Sequence, residues 1–155
     1  VEGGTFPNVY AYKVNMSCNH CADPACQPTC PTGAIWKRAD NGVVDIDSTL
    51  CIGCRRCEAA CPYGAPQFDA EDGLMKKCNM CIDELESGRQ PYCVSACMMR
   101  VLDIGPIDKL RDGSFPTKAL GPNDTPVSNL KNFANPELTK PSIVFVPHRE
   151  GVIDG

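Results

Sequence analysis

The chain has 155 residues and a formal net charge of -4, from 15 lysines and arginines against 19 aspartates and glutamates. This charge provides no electrostatic attraction to phosphate backbones, so we expect no nucleic-acid partner. The longest purely apolar run outside the cysteine motifs, residues 143–146, is too short to span a bilayer. Any contact with a membrane is therefore expected to come through a partner.

The first eight residues show neither a signal peptide nor a natural start, because they contain no methionine and no charged-then-apolar leader. We expect Val1 to be the cut end of a longer chain. Residues 1–8 are accordingly assigned to an N-terminal leader, and residues 9–105 to a domain that holds every cysteine of the chain.

Twelve cysteines fall in three groups of four between residues 18 and 97. The middle group, residues 51–62, reads C-x2-C-x2-C-x3-C-P, which bacterial ferredoxins use to hold 4Fe-4S clusters. Two-residue gaps let one loop place three sulfurs around one face of a cluster. The fourth cysteine, before proline, points away and serves a neighbouring cluster, so this motif predicts two clusters and single-electron transfer.

The first group has the same ending, although its second gap is widened to four residues. If the fourth cysteine of each motif crosses to the other cluster, two complete sites result. The predicted ligands of cluster 1 are Cys18, Cys21, Cys26 and Cys61. The predicted ligands of cluster 2 are Cys30, Cys51, Cys54 and Cys57.

Residues 30–34 are echoed by residues 61–65, and each copy precedes a short strand-like stretch, a turn and the next cysteine pair. Residues 34–37 and 43–46 predict a β-hairpin around Asn41 and Gly42. The fold class is therefore α+β, a small ferredoxin-like bis-4Fe-4S fold with short helices and β-hairpins. Short helices are expected over 55–61 and 81–87. Because cysteine replaces much of the ordinary core, we expect the metal-free chain to be largely unfolded or molten.

The remaining residues, 106–155, form an irregular C-terminal extension. Residues 106–111 suit one or two helical turns, and residues 114–155 contain six of the 14 prolines but no cysteine. We expect this extension to lie extended on the domain or on a partner.

The third cysteine group comprises Cys78, Cys81, Cys93 and Cys97, and no other motif remains to pair with it. Two interpretations are open. These four residues close one site among themselves, or a fourth motif is missing on the N-terminal side.

Residues 17–26, 51–55, 60–66 and 103–108 together resemble the iron-sulfur subunit of dimethyl sulfoxide reductase-type molybdoenzymes. The resemblance covers nearly all of residues 9–110, and residues 139–144 are similar to that subunit's C-terminal tail. It implies electron transfer between a quinol-oxidising integral membrane anchor and a molybdopterin-containing catalytic subunit.

Members of that family carry four motifs and four 4Fe-4S clusters, and the motif nearest their N-terminus is absent here. By this resemblance, Cys78, Cys81 and Cys93 share a cluster with the last cysteine of the absent motif, and Cys97 completes that motif's own cluster. Met98 stands where the family usually has proline. Two complete clusters are thus expected in this chain. The resemblance also implies a location at the outer, periplasmic side of the cytoplasmic membrane, with the cytoplasmic side as the alternative.

Alternatives concern the metal and the host complex. Zinc explains paired C-x2-C motifs in a structural module, but not the two C-x3-C-P endings. Disulfides fit such repeated two-residue spacing poorly. Formate dehydrogenases, polysulfide or nitrite reductases and hydrogenases use similar electron-transfer subunits.

Nothing in the sequence indicates catalysis by this chain, since it has no dinucleotide loop, P-loop or metalloprotease motif. His20, between two cysteines, is expected to bond to a sulfur or to the backbone rather than to bind a cluster. Basic residues near the ligands are expected to favour the reduced state, so that Arg55→Glu lowers the midpoint potential of the nearest cluster. These residues are Lys37, Arg38, Arg55, Arg56, Lys76 and Lys77.

Overall fold

The computed structural model describes residues 2–11, 14, 16–120, 124–130 and 133–146. Its strands form three antiparallel two-stranded hairpins, and its helices are short. The strands are β1 (Glu2–Thr5), β2 (Asn8–Ala11), β3 (Ile35–Lys37), β4 (Val44–Ile46), β5 (Gln67–Asp69) and β6 (Leu74–Lys76). The α-helices are α1 (Cys26–Thr29), α2 (Arg56–Ala60), α3 (Ile82–Glu86), α4 (Tyr92–Ser95) and α5 (Ile107–Arg111), and a 3-10 helix spans Pro136–Leu138. The predicted α+β class is confirmed.

The predicted hairpin around Asn41 and Gly42 is present as β3 and β4, with Ile35 opposite Ile46. The Asn41 side chain accepts a hydrogen bond from the Val43 backbone N–H at 3.0 Å, and Gly42 adopts a φ of 73°. Asparagine followed by glycine suits this tight connection because both tolerate left-handed conformations.

The internal repeat appears in the structure as two turns with the same conformation. Gly33 and Gly64, three residues after Cys30 and Cys61, adopt φ values of 68° and 62°. Each donates its N–H to the carbonyl of that cysteine, at 3.3 and 3.1 Å. A hairpin follows each turn, β3–β4 after the first and β5–β6 after the second. The two halves of the domain therefore present their fourth cysteines in the same local geometry.

The core is small and partly made of cysteine. Its buried cluster consists of Cys26, Ile35, Val44, Cys57 and Met75. Helices α1 and α2 contact each other, and α1 also contacts β3. Cysteine side chains thus occupy positions that aliphatic residues fill in ordinary domains, as the composition indicated.

At the N-terminal end, the described structure continues across the expected domain boundary. The boundary expected at residue 8 falls at the first residue of β2, so most of the assigned leader belongs to the β1–β2 hairpin. Tyr63 stacks on Phe133 with ring centroids 5.1 Å apart, and Phe133 meets Phe145 at 5.2 Å. Within the described residues, the C-terminal extension therefore packs back on the domain.

Candidate iron-sulfur site

Four thiols surround a cavity next to α1, here called the first cavity. It contains about 360 Å³ outside protein atoms, part of it open to solvent. The cysteines that line it are Cys18, Cys21, Cys26 and Cys61. Two lie in the loop before α1, one is the first residue of α1, and the last follows α2 directly.

A second cavity, of about 300 Å³, is lined by a different set of residues. Its cysteines are Cys30, Cys51, Cys54 and Cys57. Cys30 follows α1 directly, and Cys57 lies in the first turn of α2. Each helix therefore carries a thiol of one cavity at its start and a thiol of the other cavity after its end.

The structure thus groups the first eight cysteines into the two sets that the crossing rule predicts. Because α1 and α2 pack together, the two cavities are adjacent. Ligation of a cluster by each set remains a prediction about chemistry. The close grouping of four thiols around an otherwise mainly apolar space is what such ligation requires.

Burial raises the pKa of four of these thiols, Cys18, Cys21, Cys26 and Cys57, and that of Cys26 reaches about 11. A thiol in a poorly hydrated cavity keeps its proton because the thiolate charge is not solvated there. Iron ions supply the compensating positive charge that lets such groups act as thiolate ligands. The donor set therefore fits a metal cluster with sulfur ligands.

An unpartnered amide gives independent support for a polar group in the first cavity. The Asn19 side chain is 3% exposed and lines that cavity, and neither its nitrogen nor its oxygen has a hydrogen-bond partner among the residues that the structure describes. An unpaired buried polar group costs about 1–3 kcal/mol, so buried amides ordinarily find partners. A sulfur-rich group in the first cavity would supply an acceptor for the amide N–H.

The second cavity is more apolar. Besides cysteines, Ile35, Ile46 and Met75 form much of its wall. The nearest hydroxyl belongs to Thr32, whose Oγ1 lies 3.6 Å from the sulfur of Cys30. Burial raises the pKa of Cys30, but hydrogen bonds from Thr32 and nearby backbone N–H groups outweigh it, so the net shift is downward. The two cavities thus offer different polar environments.

His20 faces the backbone, as expected. Its Nδ1 accepts a hydrogen bond from the Val44 N–H at 3.0 Å, and the side chain is 2% exposed. Burial, together with the positive charges of Lys77 and Lys37, lowers the pKa of His20 to about 4. The imidazole is therefore neutral at pH 7, and it lines neither cavity.

Two of the basic residues singled out in the sequence are held close to the first motif. Lys37 Nζ donates to the carbonyls of His20 at 3.2 Å and Cys21 at 2.9 Å. Lys77 lines the first cavity and donates to the carbonyls of Val44 and of Cys78, the latter at 3.0 Å. Both charges therefore lie where they favour electron density on a bound cluster.

Other basic residues are engaged at the surface. Arg55 Nε lies 2.8 Å from Glu58 and its guanidinium lies 5.4 Å from the ring of Phe68. Lys76 pairs with Asp69 at 2.6 Å. Charges neutralised in this way act weakly on a cluster because solvent and the acidic partner both screen them.

The third cysteine group lines neither cavity. The Met80 N–H donates to the sulfur of Cys78 at 3.4 Å, and backbone N–H groups of Val101 and Leu102 lower the pKa of Cys97. Across the parts of the chain that the structure describes, no three His, Cys, Asp or Glu side chains lie close enough to hold a single metal ion. The structure leaves both interpretations of this group open.

Two residues of the first cavity were not anticipated from the sequence. Tyr63 and Thr139 both line it, and their hydroxyl oxygens lie 2.8 Å apart. The similarity of residues 139–144 to a family tail was a signal that this segment has a role, but it did not indicate contact with a thiol.

No helix among the described residues is both long and apolar enough to cross a membrane.

Comparison with known proteins gives a direct match. Residues 9–107 match the family described as the 4Fe-4S dicluster domain. That match establishes 4Fe-4S clusters as the cofactor class and disfavours the zinc alternative. It covers nearly the same residues as the iron-sulfur domain inferred from cysteine spacing.

Several curated proteins are similar over most of the chain. A chain of anaerobic dimethyl sulfoxide reductase from Haemophilus influenzae is 43% identical over 154 residues, which cover 99% of this chain and 70% of the relative. The corresponding chain of the Escherichia coli reductase is 46% identical over 141 residues, covering 91% and 63%. A subunit of sulfite dehydrogenase from Allochromatium vinosum is 52% identical over 102 residues, covering 62% and 42%. The chain therefore spans 70% of the Haemophilus influenzae relative and 63%, just under two thirds, of the Escherichia coli relative.

Proposed function

Because this protein belongs to the 4Fe-4S dicluster family and is similar over most of its length to a chain of anaerobic dimethyl sulfoxide reductase, we propose that it transfers electrons within a molybdoenzyme complex. Electrons pass from a quinol-oxidising membrane anchor, through 4Fe-4S clusters in this chain, to a molybdopterin-containing catalytic subunit. The chain itself is a non-catalytic subunit of that oxidoreductase.

The observation that carries this proposal is the pair of four-thiol cavities lined by cysteines at the starts and ends of α1 and α2. Two adjacent redox centres are what a relay needs, because electrons hop efficiently only between close centres. A 4Fe-4S cluster, when bound, supplies a site that accepts and returns one electron.

The residues of this chain would hold and insulate such centres. The thiolates of each set would ligate one cluster, and the swapped fourth ligands would keep the two helices in register. Ile35 and Met75, both buried, limit the access of water to the second cavity. Lys77 would place positive charge beside the first cluster and so favour its reduced state.

The names of the relatives support the choice of partners. Each of the first two relatives is named as one chain of a reductase, which implies further chains and supports a molybdopterin-containing catalytic subunit as one partner. The membrane anchor and a position at the outer side of the cytoplasmic membrane complete the proposal. The cysteines of the third group would complete further clusters with a motif from outside these 155 residues.

A second host is favoured by a specific observation. The match to the sulfite dehydrogenase subunit reaches 52% identity, although over a shorter stretch of 102 residues. The cluster chemistry is the same in that alternative. Only the catalytic partner and the direction of electron flow would differ.

The test is anaerobic purification of the natural protein with its bound partners. We expect brown material containing iron and acid-labile sulfide, whose visible absorption bleaches on reduction. Mass spectrometry should find a molybdopterin protein and an integral membrane protein. Material without iron and sulfide after anaerobic reconstitution would refute cluster binding, whereas loaded protein lacking both partners would refute only the proposed host.

A further inference from the structure

The C-terminal extension contacts the first cysteine motif through residues 139–142, here called the strap. The Asp23 N–H donates to the carbonyl of Thr139 at 3.0 Å, and the Ala22 N–H donates to the carbonyl of Lys140 at 2.8 Å. The Ser142 N–H donates to the carbonyl of Asn19 at 2.9 Å. Three backbone hydrogen bonds thus fix the strap along the loop that carries Cys21.

The strap is held in a specific conformation. Lys140 adopts a φ of 46°, which is uncommon for a residue other than glycine. Its Nζ pairs with the Asp23 carboxylate at 2.7 Å, and Arg111 donates to the carbonyl of Pro141 at 3.2 Å. An unfavourable backbone conformation persists where surrounding contacts determine it. The strap therefore has a defined position relative to the first cavity.

Thr139 is the strap residue that reaches the thiols. Its side chain is 2% exposed and lines the first cavity beside Cys21 and Cys61. The backbone bonds from Ala22 and Asp23 hold Thr139 next to the loop that carries Cys21, so its hydroxyl lies at the wall of the cavity that this thiol also lines. A hydroxyl has one hydrogen to donate and can accept from Tyr63, whose oxygen lies 2.8 Å away.

We propose that the strap is part of the first cluster site, with Tyr63 donating to Thr139 and Thr139 donating to the sulfur of Cys21. This inference rests on the proposed cluster binding but adds a positioning residue from outside the cysteine motifs. Hydrogen bonds to ligand sulfurs stabilise the more negative, reduced state of a cluster and so raise its midpoint potential. Thr139 therefore makes the first cluster easier to reduce than it would be with cysteines alone.

The second cavity has a different hydroxyl neighbour. There the nearest hydroxyl comes from Thr32, at 3.6 Å from a sulfur, and that residue belongs to the turn after Cys30 itself. The second cavity thus has a hydroxyl from the repeat itself, whereas the first cavity has one from the distant C-terminal extension. Duplicated motifs consequently hold two unequal redox centres, because the described part of the extension lines the first cavity through Thr139 and does not line the second.

The test uses the natural, cluster-loaded protein in its isolated complex, with redox titration followed by electron paramagnetic resonance. We expect Thr139→Val to lower the midpoint potential of one cluster, and Thr139→Ser to leave it near the native value. Thr117→Val is the matched control, because Thr117 lies in the same extension and its Oγ1 bonds the Ala119 N–H at 3.0 Å, away from both cavities. It should shift neither potential.

Cys61→Ala identifies which cluster responds. In a Cys61→Ala background, which should lack the first cluster, Thr139→Val is expected to change nothing in the remaining signal. Tyr63→Phe keeps the ring that stacks on Phe133 but removes the second hydroxyl, so it should lower the same potential by a smaller amount.

Iron and sulfide content separate the possible failures. Absence of clusters from the native chain would refute the proposed function. Full cluster content in Thr139→Val with unchanged potentials would overturn the strap inference alone, as would an equal shift in Thr139→Ser. If Thr139→Val does not retain its clusters, Tyr63→Phe decides: a lowered potential supports the inference, and an unchanged one overturns it.

Discussion

Cys26 and Cys30 lie at the two ends of one short helix, yet they line different cavities. Cys26 is the first residue of α1 and contributes to the first cavity, whereas Cys30 caps the end of α1 and contributes to the second. Cys57 and Cys61 repeat the arrangement around α2 in the opposite sense. The spacing C-x3-C thus divides each motif between two sites.

This division predicts how pairs of ligand substitutions combine. Cys61→Ala and Cys18→Ala should each remove the first cluster, about half of the iron of a two-cluster chain. Because both residues serve one cavity, the double variant should lose no more than either single variant. Cys61→Ala with Cys51→Ala should instead remove both clusters.

Iron and acid-labile sulfide per protein, measured on anaerobic material, check this prediction. Cys78→Ala serves as a control that affects neither of these two cavities. If Cys61→Ala and Cys51→Ala together lost only one cluster, the ligands would be local rather than swapped.

Lys77 and Arg55 should affect the midpoint potentials of the nearby clusters to different extents. Lys77 lines the first cavity, whereas the Arg55 side chain is mostly exposed and paired with Glu58. We expect Lys77→Gln to lower the midpoint potential of the first cluster by tens of millivolts, where about 59 mV corresponds to a tenfold change in a one-electron equilibrium. Arg55→Gln should cause a smaller shift, and the charge reversal Arg55→Glu a shift in the same downward direction.

Redox titration of each cluster signal makes the comparison. Arg89→Gln is a control, since Arg89 pairs with Glu84 at the surface at 2.6 Å. A larger effect from Arg55→Gln than from Lys77→Gln would show that distance from the cavity does not decide the tuning.

Met75 should contribute to stability through the core beside the second cavity. It is 4% exposed and packs with Ile35, Val44 and two cysteines, whereas Met99 is 80% exposed. Met75→Ala is expected to cost about 2–5 kcal/mol of unfolding free energy, because it leaves a cavity in a small core. Met99→Ala should change that free energy by less than about 0.5 kcal/mol.

Anaerobic urea unfolding of the cluster-loaded protein, followed by far-ultraviolet circular dichroism, measures both variants. Equal losses in the two would contradict the assignment of the core to the β3–β4 and β5–β6 hairpins.

Glu84 should make stability depend on pH in the acidic range. Hydrogen bonds from Arg89 and then Tyr92 lower the pKa of Glu84 from 4.5 to about 2. Since the folded state holds this carboxylate ionised, its contribution is complete above pH 4.5 and disappears as the pH falls toward about 2. Native protein should therefore unfold more slowly than Glu84→Gln at neutral pH, and this difference should close across that window.

Unfolding rates after rapid mixing to each pH provide the measurement, because mixing is faster than acid loss of the clusters. Glu71→Gln, at an exposed position in the β5–β6 turn, is the matched control. A rate difference for Glu84→Gln that stayed constant from neutral pH down to the acidic end of the window would contradict the lowered pKa.

Cysteine spacing by itself determined the cofactor class and predicted the crossing of the two motifs, and the repeat with its hairpin turn indicated the α+β fold. Local rules are sufficient for these features. Asn41 and Gly42 specify a tight turn, and the fourth cysteine of each motif, which precedes a proline, points away from the cluster that the first three cysteines bind. The β3–β4 and β5–β6 hairpins and helices α2, α3 and α5 were predictable for the same reason, because their turn residues and apolar patterns lie within a few positions. The β1–β2 hairpin was not predicted, since its residues were assigned to a leader.

Only the tertiary structure decided what surrounds each thiol set. Thr139 lies 118 residues after Cys21, and nothing in either local sequence indicates that they meet. The contact arises because Phe133 packs on Tyr63 and the strap bonds to the backbone of residues 19–23. Likewise, Lys77 lines a cavity while Arg55 does not, although each is adjacent in sequence to a predicted ligand. Ligand identity follows from spacing along the chain, whereas the polarity around a ligand depends on which distant segments fold over it.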